Sequence, residues 1–587
     1  MNLLIVGAGG REHALAWKAK QSPRLGQLHL TPGNGAMADL GLCWGLTEVA
    51  AIVARAKAEG VDLVIAGQED YLVQGLTDQL AAVGIPCCGP DQWAAQLEGS
   101  KAFSKGFMQR HGIPTAAFGV FTEFSPAKEF LQGLASPYVI KASGLAAGKG
   151  VLIFDDLEQA LLGLKSILVD QEFGEAGKEV VIEEFLPGEE ASYFIFTDGG
   201  EFRSMPSLQD HKRQRDLDQG PNTGGMGCYA PAPVITPEVE ARVINEVVQP
   251  TLAGMQAEGH PYRGVLYIGL MVNAQGAPKV VEYNIRFGDP ECQPLMMLLE
   301  SDLLPIALAC AQGGLSQTEV KFRPQAAANL VLASGGYPGE YKKGYAISGL
   351  EEVAGNQSQM IFHAGTERQG AAYLTKGGRV LSCTALGDNL SQALNRVYAM
   401  AEGIHWPQMQ FRKDIGVKGL KRSFLHQATH PLVGILLGSA SDLSIAEKAM
   451  EILREFKVPY ELIVASAHRT PERVQGFVAQ GEAQGMEVFI ALAGLAAHLP
   501  GVVASLTVKP VIGVPCPGAV EGLDALYSIV QMPPGVPVAT VGIGRGENAG
   551  LLAVQILGAK YPELQGIHRE YRLKMAAKVA QSQPLGL

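Results

Sequence analysis

The chain has 587 residues, of which 47% are hydrophobic and 18% charged, a composition typical of several globular domains rather than of a disordered protein. Its 47 basic and 58 acidic residues give a net charge of −11, which argues against general binding to nucleic acids or anionic membranes. The eight cysteines form no CxxC pair and the amino terminus lacks a signal peptide, so we expect reduced thiols and a cytoplasmic protein.

Short apolar runs alternate with Gly-rich turns and helical patterns along most of the chain, which predicts α/β domains with parallel sheets. Residues 1–100 are expected to form a Rossmann-like unit. Segments 101–325 and 326–422 are expected to form two further units. The basic, polar segment 423–431 is interpreted as a linker.

Residues 432–587 carry five predicted strands with intervening helices, the pattern of a flavodoxin-like sheet. Within them, residues 488–508 are uncharged over the length of one membrane span. Because His498, Pro500 and Gly501 interrupt this run, we expect a buried strand followed by a helix instead.

The first motif is Gly7-Ala8-Gly9-Gly10, which follows the predicted strand Leu3–Val6 and precedes a helix. Backbone N–H groups at such a helix start can bind an anion. Glu12 stands where a dinucleotide-binding fingerprint requires glycine, so a phosphorylated small molecule is favoured over NAD. A plain strand-to-helix turn is the alternative.

A second motif places Lys141 at the end of a strand and Lys149 in the glycine-rich segment that follows it. Both lysines could neutralise nucleotide phosphates. The segment is not a Walker loop, because only three residues separate Gly144 from Gly148 and Gly150 replaces the Ser/Thr. A β-hairpin with surface lysines is the alternative.

The third motif is the segment KVVEYNIRFGDPE at 279–291. Strand alternation predicts Glu282, Asn284 and Arg286 on one face and Val281 on the opposite, apolar face. A carboxylate and an amide two residues apart suit a hard cation such as magnesium, and Arg286 could hold a carboxylate or phosphate. A solvated polar face is the alternative.

Two further motifs follow strands in the last 160 residues of the chain. GSASD at 438–442 opens a helix, and SAHRTP at 466–471 places His468 and Arg469 at the carboxyl end of the predicted sheet. Ligands bind at this edge in such folds, although a single histidine is also common as a structural residue.

Several motifs in the first 422 residues occur in one order: GAGGREHALAWK, LEGSKAF, VIKASGLAAGKGV, VIEEFLPGEEAS, SLQDHKR, GPNTGGMG, YNIRFGDPECQ and FRKDIG. In this order they resemble the phosphoribosylamine–glycine ligases, which are ATP-grasp enzymes. The resemblance implies activation of glycine by ATP as glycyl phosphate, followed by attack of the sugar amine.

The resemblance also implies a role for individual residues. It assigns ATP phosphates to Lys101 and Lys141, the adenine hinge to Glu183, Glu184 and Leu186, the ribose to Glu189, Mg²⁺ (or Mn²⁺) to Glu282 and Asn284, glycine and the acyl phosphate to Asp210 and Arg286, and phosphoribosylamine to Gly9, Gly10 and Asn34. Two departures from the family pattern are Ser143, in place of aspartate, and the stretch GQEDY at 67–71.

Residues 432–580, with SAHRTP, LAGLAAHLPG and GLDALYSIVQMPPGVPVAT, resemble the 5-(carboxyamino)imidazole ribonucleotide mutases. The resemblance implies that Ser439, Asp442 and Arg469 bind the ribonucleotide and that His468 is the general acid and base, with no cofactor. It further implies a homo-oligomer, an octamer assembled through this domain. Leu495 and the shortened loop Cys516-Pro517-Gly518 depart from the family pattern.

For this second half, the mutase is ranked before direct carboxylation of aminoimidazole ribonucleotide by CO₂ and before an inactive assembly module. The sequence as a whole is interpreted as a two-enzyme polypeptide of purine biosynthesis. Its expected partners are small molecules: glycine, phosphoribosylamine and aminoimidazole ribonucleotides, with no nucleic acid and no membrane. A nucleotide sensor without catalysis is the competing class for the first half.

Overall fold

The structure, a computed structural model, describes residues 1–146, 150–353, 355–518 and 520–581. The chain divides into two compact units, Met1–Gly416 and Val417–Leu587. The α/β fold class predicted from the sequence is confirmed in both units. The prediction of parallel sheets holds for the first sheet and for the sheet of the second unit, and is wrong for the sheets between them, which are antiparallel.

The first unit opens with a parallel sheet whose central strand is buried on both faces. Its elements are β1 (Leu3–Gly7), α1 (Gly10–Ala19), β2 (Leu28–Pro32), β3 (Leu42–Cys43), α2 (Val49–Ala58), β4 (Leu63–Ala66), α3 (Glu69–Val73), α4 (Leu76–Ala82), β5 (Cys87–Cys88) and α5 (Gln96–Gly99). The strand order is β3-β2-β1-β4-β5. Alternate residues of β1 join two different apolar cores, which explains its unbroken apolar sequence. The Rossmann-like fold is confirmed.

Two antiparallel four-stranded sheets follow, in the arrangement of an ATP-grasp fold. The elements of this part of the chain are α6 (Lys101–Arg110), β6 (Phe118–Phe121), α7 (Phe124–Gln132), β7 (Tyr138–Ala142), β8 (Val151–Phe154), α8 (Leu157–Leu168), β9 (Val180–Glu183), β10 (Glu189–Thr197), β11 (Phe202–Ser204), β12 (Gln209–Asp210), β13 (Arg213–Arg215), β14 (Gln219–Asn222), β15 (Gly227–Ala230), α9 (Pro237–Val243), α10 (Gln249–Ala257), β16 (Gly264–Val272), β17 (Pro278–Asn284), α11 (Cys292–Leu298) and α12 (Leu303–Gln312). The sheet orders are β6-β9-β7-β8 and β11-β10-β16-β17.

Strand β17 carries a β-bulge that the sequence pattern does not reveal. Gly269 pairs with Glu282 and Leu270 pairs with Val280, so Val281 is the extra residue. Val280 and Tyr283 are the buried residues of the apolar face, whereas Val281 is only half-buried. The predicted alternation therefore holds from Glu282 onward and is wrong at Val281.

The last sheet of the first unit crosses the boundary that we expected at 325/326. The elements of this segment are β18 (Ala326–Ala333), β19 (Gln359–His363), β20 (Thr366–Gln369), β21 (Ala372–Thr375), β22 (Arg379–Gly387) and α13 (Leu390–Glu402). Strands β20 and β21 pair with each other as a separate two-stranded sheet. The order in the last sheet is β12-β15-β18-β22-β19, so strands from both segments hydrogen-bond within one sheet. Residues 326–416 consequently share their sheet with the preceding segment.

The second unit is a parallel sheet with the flavodoxin-like order. Its elements are α14 (Val417–Gln427), β23 (Val433–Leu437), α15 (Leu443–Glu455), β24 (Tyr460–Val464), α16 (Pro471–Gln484), β25 (Val488–Ala493), α17 (Leu499–Leu506), β26 (Val511–Pro515), α18 (Leu523–Val530), β27 (Ala539–Thr540), α19 (Gly546–Leu557) and α20 (Glu563–Gln581). The order β24-β23-β25-β26-β27 is the flavodoxin-like order 2-1-3-4-5, as predicted.

The uncharged run at 488–508 forms strand β25 and helix α17, as expected from its interrupting residues. Among the described residues, no helix combines the length and apolar character needed to cross a membrane.

Helix α14 occupies the first half of the segment that we expected to be a linker. Leu420 and Phe424 are buried, and Leu420 lies against Gly566 of α20. The Lys421 ammonium pairs with Glu570, also on α20. Apolar burial on one face therefore makes residues 417–427 part of the second unit.

Replacing Phe424 by alanine should lower the free energy of unfolding of the second unit by about 3–5 kcal/mol, because a fully buried aromatic ring is lost. The matched variant Leu425→Ala, in which the removed side chain is 47% exposed, should change it by less than about 0.5 kcal/mol.

The two units can be followed separately in the full chain. All four tryptophans (Trp17, Trp44, Trp93 and Trp406) lie in the first unit, so tryptophan fluorescence reports only that unit, whereas far-UV circular dichroism reports both. A shift of the fluorescence transition by Phe424→Ala, or no shift by either probe, would contradict the assignment of α14.

Candidate functional site

In the first unit, three lysines gather around the Glu282 carboxylate on β17. Lys212 Nζ lies 3.6 Å from Glu282 Oε1, and Lys141 Nζ donates to the carbonyl of the bulge residue Val281 at 3.4 Å. Lys101 Nζ donates to the Gly144 carbonyl at 3.2 Å. Burial alone would raise the pKa of Glu282, but the charges of the three lysines hold it at about 2. This carboxylate is therefore ionised at neutral pH.

Glu183 holds two of the lysines of this region in place. Its buried carboxylate pairs with both Lys105 and Lys141. Lys105 also donates to Thr115 Oγ1 at 2.7 Å, and burial lowers the pKa of Lys105 to about 8. The side chain that the resemblance assigned to the adenine hinge is thus engaged with lysines. Sequence reasoning missed Lys105, although it lies one helical turn after Lys101 in α6.

The remaining hinge residues lie at the junction of β9 and β10. Glu184 accepts hydrogen bonds from the Ala117 N–H at 3.2 Å and from Lys279 Nζ at 2.8 Å. Leu186 is half-buried in the connection, and Glu189 is the first residue of β10. Lys149 lies outside the described residues.

Glu282 and Asn284 fit a magnesium ion. They are two residues apart on β17, and Asn284 is buried with its amide Nδ2 lacking a hydrogen-bond partner in the described part of the chain. An ionised carboxylate and an amide not held by the protein can both offer oxygen, and Mg²⁺ commonly takes one or two protein ligands together with substrate phosphates. Within the described ranges, no group of three His, Cys, Asp or Glu side chains forms an alternative metal site.

Arg286 is held by two internal carboxylates. Its Nε donates to Glu69 Oε2 at 2.9 Å and its Nη2 to Glu98 Oε1 at 2.7 Å. Burial raises the pKa of both acids, and the charge of Arg286 lowers it. The resulting pKa is about 2 for Glu69 and about 7 for Glu98. Glu69 belongs to the stretch that departs from the family pattern. The assignment of Arg286 to the acyl phosphate stays a prediction.

Asp210 lies beside a second buried carboxylate, Glu291. Burial and the negative charge of Glu291 raise the pKa of Asp210. Glu291 accepts a hydrogen bond from Ser192 Oγ at 3.1 Å, and a Cβ placed on Gly225 would lie 2.8 Å from Asp210 Oδ1. Only glycine leaves this carboxylate room. Sequence reasoning missed Glu291, although it lies in the quoted GDPE turn.

The glycine loop before α1 is occupied in part by an internal anion. The Gly9 N–H donates to Glu12 Oε2 at 2.6 Å, so the residue that breaks the dinucleotide fingerprint itself caps the helix. Asn34 Nδ2 donates to the carbonyls of Ala8 and His363, both at 2.9 Å. Asn34 therefore stabilises the loop through its side-chain amide. The contact with phosphoribosylamine predicted for Asn34 would involve neighbouring atoms of the loop rather than this engaged amide nitrogen.

In the second unit, the predicted residues gather at the carboxyl ends of β23 and β24, beside the end of β25. His468 Nε2 lies 2.8 Å from His498 Nδ1, which follows β25. Arg469 Nη2 donates to the Gly438 carbonyl at 3.2 Å, and the Ser439 N–H donates to Asp442 Oδ2 at 3.2 Å. His498 was missed as a site residue, although the quoted LAGLAAHLPG motif contains it.

The loop that departs from the family pattern also reaches this edge. Cys516 is buried, and this burial, together with the neighbouring Asp442 carboxylate, raises the pKa of its thiol to about 12. Burial likewise raises the pKa of Asp442. Leu495 has φ of +56° and is 57% exposed at the same edge.

The first unit has the fold of the ATP-grasp proteins. It is similar to the biotin carboxylase domain of the Hydrogenobacter thermophilus 2-oxoglutarate carboxylase in complex with MgADP, with a TM-score of 0.56 and 16% identity, covering 72% of this chain and 93% of that chain. It is also similar to a phosphoribosylamine–glycine ligase from Thermotoga maritima, with a TM-score of 0.63 and 33% identity, covering 71% of this chain and all of that chain.

Family models place this fold more narrowly. The N, ATP-grasp (A) and C domains of phosphoribosylglycinamide synthetase match residues 1–98, 99–292 and 327–418, and the AIR carboxylase model matches residues 432–578. Phosphoribosylamine–glycine ligases of Vibrio cholerae and Allochromatium vinosum are 51% and 50% identical over 72% of this chain and 99% of their own lengths. The chain belongs to the phosphoribosylamine–glycine ligase family and carries an additional AIR carboxylase family domain.

Proposed function

We propose that the first unit catalyses the ATP-dependent ligation of glycine to 5-phosphoribosylamine, giving glycinamide ribonucleotide. The observation that carries this proposal is the convergence of Lys101, Lys141 and Lys212 on the ionised carboxylate of Glu282. Counting Lys105, four lysines face three carboxylates, Glu183, Glu190 and Glu282, which leaves one positive charge in excess and suits a polyphosphate. The named relatives at about 50% identity support the choice of substrates.

In the first step, a carboxylate oxygen of glycine attacks the γ-phosphorus of ATP, the bond from that phosphorus to the bridging oxygen breaks, and ADP leaves. Lys101 and Lys141 offset the charge that spreads over the transferred phosphoryl group. Magnesium, held by Glu282 and Asn284, would supply further neutralisation of phosphate charge. Glu183 keeps Lys141 directed at this position.

In the second step, the amine nitrogen of phosphoribosylamine attacks the acyl carbon of glycyl phosphate. The carbon–oxygen bond to phosphate breaks, inorganic phosphate leaves, and the nitrogen loses a proton to give the amide. Asp210 and its neighbour Glu291 form a pair of carboxyl groups whose oxygens suit the ammonium group of glycine, and Gly9, Gly10 and Asn34 are proposed to line the sugar-phosphate pocket.

Replacing Glu282 by glutamine should reduce kcat for glycine-dependent ADP release at least about a hundredfold, because a fixed charge at the phosphates is lost. Glu190→Gln is the matched control, because Glu190 also lies 3.6 Å from Lys212 Nζ but is on β10, which β16 separates from β17. It should lose less than about threefold. Equal losses in both variants would show that Glu282 only balances Lys212. No glycine-dependent ADP release by the unmodified chain would refute the ligase.

We propose that the second unit interconverts 5-(carboxyamino)imidazole ribonucleotide and 4-carboxy-5-aminoimidazole ribonucleotide. The bond from the exocyclic nitrogen to the carboxylate breaks, CO₂ is released in the pocket, and His468 gives the nitrogen a proton. C4 of the substrate ring then attacks CO₂, and the His468 side chain removes the proton from C4. A histidine suits both transfers because its ordinary pKa lies near neutrality. His498 supports this role, because its Nδ1 lies 2.8 Å from His468 Nε2 and fixes the orientation of the His468 ring.

Ser439, Asp442 and Arg469 are proposed to bind the ribonucleotide, with Arg469 at its phosphate. Direct carboxylation of aminoimidazole ribonucleotide by CO₂ is the second candidate. It is kept because Leu495 and Cys516 alter the strand-end loops at which the two family types differ.

We further propose that this unit forms a homo-oligomer. Leu523, Tyr527 and Val530 lie on one face of α18 and are 45%, 59% and 52% exposed. Their spacing of four and three residues aligns them along the helix, and Val520 just before it is also exposed. An apolar stripe of this kind suits a second copy of the chain, and an octamer is the assembly that the family resemblance suggests.

Substrate choice should separate the candidate activities of the second unit. We expect the unmodified chain to convert the carboxyamino compound without added bicarbonate, with His468→Asn reducing kcat at least about a hundredfold. His426→Asn, which alters an exposed histidine on α14, should leave kcat unchanged. Turnover of aminoimidazole ribonucleotide that requires free CO₂ would establish the carboxylase, and inertness to both substrates would leave the assembly module.

A further inference from the structure

Gln293, on α11 of the first unit, has a hydrogen-bonded amide nitrogen but a bare amide oxygen, one without a hydrogen-bond partner in the described structure. The residue is fully buried, and its Nε2 donates to Asp289 Oδ1 at 2.9 Å. Its Oε1 has no hydrogen-bond partner in the described structure. Turning the amide over would place oxygen against the Asp289 carboxylate, so Asp289 fixes the bare oxygen in its position. A buried acceptor without a partner is costly, and a bound donor would satisfy it.

The Gln293 side chain borders the glycine loop at the start of α1. A Cβ placed on Gly10 would lie 2.6 Å from Gln293 Nε2, and one on Gly9 would lie 3.3 Å from Asp289 Oδ2. Glycine at both positions therefore lets the backbone of the loop approach the amide and the carboxylate. The amide group that carries the bare oxygen therefore borders the loop proposed to line the sugar-phosphate pocket.

Asp289 is held rigidly beside Gln293. Arg379 Nη2 donates to Asp289 Oδ2 at 3.1 Å, and Arg379 Nη1 donates to the Gly224 carbonyl at 2.7 Å and to the backbone carbonyl of Asp289. Although burial opposes ionisation, the charges of Arg379 and Arg11 hold the pKa of Asp289 below its usual range. Both Asp289 oxygens and Gln293 Nε2 are therefore already engaged, which leaves Gln293 Oε1 as the acceptor for a ligand that carries an N–H or O–H donor.

We infer that Gln293 is a substrate-binding residue of the ligase, whose Oε1 accepts a hydrogen bond from the amine-bearing sugar of phosphoribosylamine, with Asp289 and Arg379 as positioning residues. This inference rests on the proposed ligase function. Glycine and ATP carry their charged groups to the lysine and carboxylate cluster around Glu282, so the amine sugar is the substrate whose donors match this acceptor. The contact selects for a sugar that carries the donor.

The test compares Gln293→Met, which keeps the length of the side chain but removes both amide groups, with His29→Phe. His29 is also fully buried and both of its ring nitrogens lack partners in the described chain, but it packs on Trp44 in the first sheet. Gln293→Met should raise KM for phosphoribosylamine at least about tenfold, with KM for ATP and for glycine within about twofold. His29→Phe should leave all three constants unchanged.

A second variant covers the case in which Gln293→Met does not fold, as judged by thermal unfolding. In Gln293→Glu, the protonated acid can donate to Asp289 and present a carbonyl oxygen as glutamine does, whereas the ionised form repels Asp289. Since burial and Asp289 favour the protonated form, KM for phosphoribosylamine, relative to the unmodified chain at each pH, should fall as the pH is lowered from about 8 to about 6.

Each outcome decides a different claim. An unmodified chain with no glycine-dependent ADP release overturns the proposed ligase and this inference with it. An active unmodified chain overturns the inference alone if Gln293→Met leaves KM for phosphoribosylamine unchanged, or if it raises all three KM values equally. A relative KM of Gln293→Glu that is independent of pH also overturns it.

Discussion

The first unit depends on placing lysine ammonium groups where water is largely excluded. Lys105 and Lys141 are almost completely buried, and a buried ammonium group is tolerated only when an opposite charge lies close to it. Glu183 supplies that charge to both lysines from the end of β9. Removing the carboxylate would leave two uncompensated cations, so the position of β9 and the position of the lysines are mutually dependent.

The same constraint explains why this cluster suits a polyanionic ligand. Lys101 is balanced less completely than Lys141, because Glu282, the carboxylate whose charge acts most strongly on it, is shared with Lys212. Phosphate oxygens would complete the compensation without an additional acidic side chain. The second unit contrasts with this arrangement: its strand-end site pairs His468 with His498, and its proposed chemistry moves CO₂ and protons rather than phosphoryl groups.

The sequence predicts the parts of this structure that depend on local patterns. Strands Tyr138–Ala142, Val151–Phe154 and Val488–Ala493 have the bounds expected from their apolar runs, and the flavodoxin-like sheet of the second unit follows from its alternation of strands and helices. The bulge at Val281 was not predictable, because an inserted residue leaves the same sequence pattern as a regular strand.

Pairings between distant residues were equally out of reach of the sequence. Glu69 on α3 and Glu98 on α5 both hydrogen-bond Arg286. Nothing in the local sequence around any of these three residues indicates that they meet. The bare oxygen of Gln293 depends on Asp289 one helical turn away, but its burial depends on the loop before α1. Motifs identify which residues gather at a site, whereas the tertiary fold decides which of them remain free for a ligand.

The chemistry of the two proposed reactions bears on why one chain carries both units. The product of the first is an open-chain amide on a ribose phosphate, whereas the substrate of the second already contains an imidazole ring. At least one ring-forming reaction must therefore occur between them. The product of the first site is thus not a substrate of the second site and cannot be passed to it directly. What the fusion does provide is a fixed ratio of one ligase unit to one AIR carboxylase family unit, and any assembly through the apolar face of α18 brings the same number of ligase units with it.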